Sequence, residues 1–225
     1  MTATLAGVDE LLRTYPQLRR LEPAHLDEVA GAFATLLPEY FMNQLGPDLL
    51  ARTYWRVFCE DPDSFGFVWI VDGAVVGFMT GTFDRQSLMR KVIARAPMAF
   101  VWRGMVTALT RPSFLKHAWG LILTLRHERA RPGPAAELMS LGVLPRRLTP
   151  ALTATGAPIS PARVLLGAAL AAMRERQIPA FRLYAGTSNH LACAMYRRLG
   201  FQEVQRFRLF DDEKICFVGD PATVV

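Results

Sequence analysis

The chain has 225 residues, 51% of them hydrophobic, with 26 Lys and Arg against 20 Asp and Glu. This excludes a disordered or fibrous chain and predicts one domain, residues 1–225, with a full buried core. No run approaches 18 uninterrupted apolar residues, the first twenty lack the apolar stretch of a secretory signal, and three unpaired-looking cysteines (Cys59, Cys193, Cys216) predict reduced thiols and a cytoplasmic setting.

LRRLEP, residues 18–23, predicts a short strand running into a helix in which Leu26, Val29, Ala30, Phe33 and Leu37 keep helical spacing, with Pro38 at its end. GPDLLARTYWRVFCED, 46–61, predicts a second helix. FGFVWIVDGAVVGFMTGTF, 65–83, predicts a hairpin, because Asp72-Gly73 sits between two apolar runs and both residues tolerate positive φ. Residues 88–131 predict a helical pair broken near Pro112. AAELMSLGVLP, 135–145, has the length and composition of a buried central strand, and 145–160 has no period and predicts a loop. SPARVLLGAALAAMRERQ opens a helix with Ser160 as N-cap and Pro161 at the first helical position. AFRLYAG is a strand, NHLACAMYRRL a helix closed by Gly200, and FQEVQRFRLF with EKICFVGD a terminal hairpin around Asp211-Asp212. The order predicts a single mixed, mostly antiparallel sheet with helices on both faces, an α/β or α+β fold, and a helical insert at about 87–132 between the third and fourth strands.

The charge is uneven. Between Leu88 and Arg131 there are nine bases and one acid, Glu128; the remainder of the chain holds slightly more acids than bases. Two readings fit this insert. It covers one side of a cleft and packs its apolar stripe on the sheet, or it meets an anionic partner: an anionic membrane, an acyl-carrier protein or the phosphates of a substrate. The membrane reading makes the protein peripheral. Nucleic acid is disfavoured, since no recognised binding motif accompanies the charge. No His, Cys or acid spacing predicts a metal site.

The helix near the C-terminus carries the chemistry. Ala192, Tyr196 and Leu199 share one face, and an inward tyrosine there is read most simply as a core aromatic. Asn189, Ala192, Tyr196, Gly200 and Phe201 together spell N-x-x-A-x-x-x-Y-x-x-x-G-F. This pattern resembles the C-terminal motif of the GNAT superfamily of acyl-CoA-dependent N-acetyltransferases. The hairpin, the strand 135–145 and the helix after it resemble other parts of that family in the same order. The resemblance implies an acyl-CoA, acetyl-CoA first among them, as co-substrate. It implies that the fourth and fifth strands part to admit the pantetheine arm along Leu141 and Val143, and that the N–H near Leu141 polarises the thioester carbonyl. It implies that Tyr196 stands beside the sulfur as general acid, with Asn189 and Ala192 at the cofactor. Glu137, at the start of the fourth strand, is the proposed base for the attacking amine, directly or through water; the alternative is a solvated strand-end carboxylate.

One part of the pattern differs. The family's pyrophosphate loop is glycine-rich, whereas PRRLTPALTATGAPISPA holds one glycine, Gly156, is longer, and has prolines at 158 and 161 that remove donors. Three readings follow: Gly156, Ala157, Ser160 and Ala162 still offer N–H groups with Arg146 and Arg147 supplying charge; the site has decayed; or the donor is an acyl-carrier protein. For the whole chain the alternatives are an N-acyltransferase acting on a primary amine of a small molecule and a non-catalytic module that binds an acyl thioester.

Overall fold

The computed structural model describes residues 6–38, 43, 45–110, 133–144, 160–209 and 212–224. Its helices are α1 (Val8–Thr14), α2 (Leu26–Leu36), α3 (Pro47–Leu50), α4 (Arg56–Glu60), α5 (Arg85–Arg95), α6 (Pro97–Thr110), α7 (Pro161–Glu175) and α8 (His190–Arg198). Its strands are β1 (Leu18–Arg20), β2 (Ser64–Val71), β3 (Ala74–Thr82), β4 (Ala136–Val143), β5 (Phe181–Gly186), β6 (Gln202–Leu209) and β7 (Asp212–Gly219). The strands form one sheet in the order β1-β2-β3-β4-β5-β7-β6, antiparallel throughout except between β4 and β5. The mixed, mostly antiparallel sheet with helices on both faces is thus the predicted one.

Two cores lie on the two faces. On one, α1 and α7 pack with Phe67, Trp69, Met79, Phe181 and Phe217. On the other, α2, α4 and α5 enclose an aromatic cluster in which Trp55 meets Phe33, Tyr54 and Phe78 edge to face. Alanines at 168, 169, 171 and 172 let α7 lie close against the sheet. Gly77 of β3 takes part in that approach: a Cβ there would stand 3.1 Å from Leu165.

The Asp72-Gly73 turn forms as expected, with φ of 51° and 77°, the two left-handed residues of a tight hairpin. Two local expectations are corrected, and one helix was not foreseen. The helix over 47–60 is interrupted by a π-helical turn, Ala51–Trp55. The insert breaks at Ala96, before Pro97, where the residue ahead of proline leaves the helical region (ψ 61°) and the two helices diverge by 83°. Leu88 and Met105 therefore lie on different helices, and the apolar positions of the insert do not form one continuous stripe. The expected break near Pro112, with residues 111–132, lies outside the described residues. Finally α1, not foreseen, tucks Val8 into the core with Leu11, Leu12 and Tyr15 packed against it at helical spacing.

Candidate active site between β4 and β5

The motif helix α8 is closed at both ends by the residues that define the motif. Asn189 is its N-cap, its side-chain oxygen accepting the Ala192 N–H at 3.1 Å. At the other end Gly200 has φ of 89°, the Gly200 N–H donates to the Arg197 carbonyl at 3.1 Å, and the Phe201 N–H donates to the Tyr196 carbonyl at 3.0 Å. This is a Schellman cap, and the ring contact between Phe201 and Tyr196 is its hydrophobic clasp. Tyr196 is 8% exposed, and its ring also packs on Phe217 of β7. Its hydroxyl makes no hydrogen bond among the described residues, and burial pushes the phenol up to about 12. His190 is exposed, and Cys193 is a buried packing residue whose Sγ lies 3.5 Å from the Gly186 carbonyl.

β4 and β5 pair over three positions only: Ala136 with Phe181, Glu137 with Arg182, Leu138 with Leu183. Beyond Leu138 the pairing stops, although β4 continues to Val143 along β3 and β5 continues to Gly186 along β7. A bulge marks the point of divergence: Ser140 faces Thr80 while Leu138 faces Gly81, so Met139 is the extra residue. The Leu144 N–H donates to the Val76 carbonyl on β3 at 2.8 Å. Because successive strand residues point to opposite edges, the Leu141 and Val143 amides aim away from β3, at the edge that β5 has left. Their side chains pack with the α7 core, and Gly142 between them has its face closed: a Cβ there would meet Leu36 and Phe78 at 2.7 Å.

Glu137 stands at the closed end of this gap. It is 3% exposed, and its Oε2 accepts from the Arg182 Nε at 3.0 Å and lies 3.1 Å from the Arg85 Nε. Both guanidiniums also lie 5.8 Å from the centre of the Tyr184 ring. Sequence reading found the carboxylate but not its partners. Arg182 was legible as a strand neighbour only once the β4–β5 register was known, and nothing in the spacing links Arg85, on another element, to Glu137.

Of the expected phosphate-end residues, Arg146, Arg147, Gly156 and Ala157 lie outside the described residues. Ser160 caps α7 through its carbonyl, which accepts from Arg163 and Val164, and not through its side chain. The first turn of α7 carries no acid, leaving Ala162 and Arg163 at the positive end of the helix dipole.

An open sheet whose one parallel pair parts, followed by a capped helix with an inward tyrosine, is the arrangement the resemblance implied; the bulge at the point of parting was not foreseen. The chain has the GNAT acetyltransferase fold. It is similar over 90% of its length to the PaiA N-acetyltransferase from Thermoplasma acidophilum solved with coenzyme A, at 12% identity, covering 97% of that chain with a TM-score of 0.53. It is similar to the same extent, at 13% identity and a TM-score of 0.53, to Arabidopsis thaliana NAA60 solved with acetyl-CoA, covering 97% of that chain. A third structure, described as an acetyltransferase, matches with a TM-score of 0.55 at 12% identity over 98% of its chain. At these identities the likeness is one of fold. No family model matches the sequence, and no curated protein matches it significantly. Within this fold α5 and α6 lie in the connection between β3 and β4.

Proposed function

We propose that the protein is an N-acyltransferase that moves an acyl group from an acyl-CoA, acetyl-CoA in the first instance, to a primary amine. The observation that carries this reading is the parting of β4 from β5 at the Met139 bulge, with the Leu141 and Val143 amides aimed at the vacated edge. A pantetheine arm is a strand-like chain of amides, and an unpaired strand edge is what it can pair with. The Leu141 N–H then serves as the fixed dipole for the thioester oxygen as negative charge develops on it. The amine nitrogen attacks the carbonyl carbon, the tetrahedral intermediate collapses, and the C–S bond breaks with the electron pair leaving on sulfur. Tyr196 is the proton donor to that thiolate: its raised phenol is neutral at physiological pH, and among the described residues its hydroxyl has no competing hydrogen bond.

Glu137 was expected as the base, and its two ion pairs support a different part. With two guanidiniums on one oxygen, we read it as a positioning residue that ties β4 to β5 and holds Arg85 and Arg182 at the closed end of the gap. Proton removal from the amine then falls to water or to the amine's own ionisation. The acidless first turn of α7, with Arg163, supports the phosphate end of the donor lying at that helix terminus. The competing reading, a non-catalytic acyl-thioester module, is favoured by the sparse glycine content of 145–160. Release of free thiol from acetyl-CoA in the presence of a panel of primary amines decides between them. Turnover on any amine supports the enzyme; thermal stabilisation by acetyl-CoA without thiol release on the whole panel supports the module.

A further inference from the structure

The helix α6 turns an apolar face to solvent. Met98, Val101, Trp102, Met105 and Leu109 recur at three- and four-residue steps and are 77%, 55%, 64%, 52% and 85% exposed. Its opposite side packs lightly, through Ala99, Phe100 and Ala108, on Leu45 and Leu49. By contrast α5 is anchored, with Leu88 and Val92 fully buried in the second core. The pair therefore has a fixed arm and a projecting one, set at 83°.

The charge beside this face differs from what the sequence count suggests. Lys91 is spent on Asp61 and Asp63, at 2.6 and 3.2 Å, and Arg95 on Glu60, at 2.8 Å. Arg52 and Arg103 make no ion pair among the described residues. Both line a pocket of about 450 Å³ together with Arg95, Asp48, Thr53 and Trp102. Three guanidiniums and one carboxylate thus surround a hollow that opens beside the apolar stripe, and Trp102 belongs to both. From Arg85 to His127 the sequence holds no acid at all.

We propose that α6 docks on an anionic lipid surface, with the stripe in the acyl boundary and Arg52 and Arg103 holding a lipid phosphate in the adjoining pocket. A row of apolar side chains with one tryptophan, flanked by a pocket in which three guanidiniums outnumber one carboxylate, is the composition of a helix lying in the interface plane. It lies on the membrane and does not cross it. Fourteen residues of helix span about 21 Å, short of the roughly 30 Å hydrocarbon core, and among the described residues no single helix is long and apolar enough to cross. A second copy of the chain is the poorer occupant, because a twofold contact through this face brings Arg103 and Arg52 of both copies together. Docking of this kind is independent of whether the β4–β5 gap takes acyl-CoA.

The test is co-sedimentation of the full chain with phosphatidylcholine vesicles containing or lacking 30% phosphatidylglycerol, at 0.1 M and 1 M salt. The wild type is expected to bind the anionic vesicles at 0.1 M salt, and at least tenfold less strongly at 1 M salt or without phosphatidylglycerol. Met105→Ser with Leu109→Ser should lower anionic binding at least tenfold. Arg52→Gln with Arg103→Gln should lower it about fivefold for each base lost. All these positions are on the surface, so circular dichroism melts of the variants should match the wild type. Absence of wild-type binding at 0.1 M salt, or binding that ignores both lipid charge and the arginine pair, overturns the proposal. So does a wild-type dimer without vesicles that Met105→Ser disperses, which assigns the face to a second copy.

Discussion

The Phe201 N–H donates to the Tyr196 carbonyl while the two rings meet edge to face, their centroids 5.4 Å apart. One spacing, Y-x-x-x-G-F, therefore has two duties: it ends α8 and it fixes the direction of the tyrosine ring. Gly200 makes this possible through its left-handed φ, and a Cβ there would meet nothing within 4 Å. Gly200→Ala should consequently cost about 1 kcal/mol, purely from backbone strain, in a denaturant titration. A neutral substitution would mean that the cap does not hold the helix end.

Tyr196→Phe separates the ring from the hydroxyl. The ring keeps its contacts with Phe201 and Phe217, and among the described residues the hydroxyl has no bonded partner to lose, so stability should change little. The proposed proton donor is gone, so kcat should fall about 10²-fold with acetyl-CoA affinity unchanged. Wild-type turnover by this variant would remove Tyr196 from the chemistry and leave it as a core aromatic.

The same residue makes a prediction about alkaline stability. Burial raises its phenol from 10 to about 12, so the folded protein keeps a proton that the unfolded chain releases near pH 10. The associated stability is complete below pH 10 and is lost as pH rises from 10 through about 12, amounting to about 3 kcal/mol. Denaturant melts of wild type and Tyr196→Phe between pH 8 and 12 should diverge only above pH 10, the wild type falling faster. It follows that any rate limb seen between pH 6 and 10 belongs to another group, the acceptor amine first among them.

Glu137→Gln distinguishes a clamp from a base. Removing the carboxylate's charge takes an ion-pair partner from two largely buried guanidiniums, and stability should drop by about 3 kcal/mol. As a positioning residue its loss should leave the acidic limb of the pH–rate profile where it was. A variant that melts like the wild type and has lost that limb would restore Glu137 to the role of base.

Much of this was legible in the sequence, for identifiable reasons. Two apolar runs around Asp72-Gly73 read as a hairpin, and Ser160-Pro161 marks the start of α7 by backbone rules alone. The motif 189–201 was legible because caps are written in residue types: Asn189 and Gly200 announce the two ends of α8. What escaped was set by tertiary contact. The break at Ala96 was not foreseen, because whether a helix ends before Pro97 depends on where Leu88 and Val92 find their core. The ion pairs of Glu137 join three elements, and no local pattern encodes them. The free charge of the insert was overstated because Lys91 and Arg95 find acids at 60–63, outside the segment.

The central claim is that an acyl-CoA lies along the open edge of β4. Backbone amide chemical shifts, recorded by NMR as acetyl-CoA is added to the wild-type protein, test it at the residues concerned. The account predicts saturable shifts of the Leu141 and Val143 amides, accompanied by Ala162 and Arg163 at the start of α7. Shifts confined to α5 and α6, with Leu141 and Val143 unmoved at saturating acetyl-CoA, would contradict it.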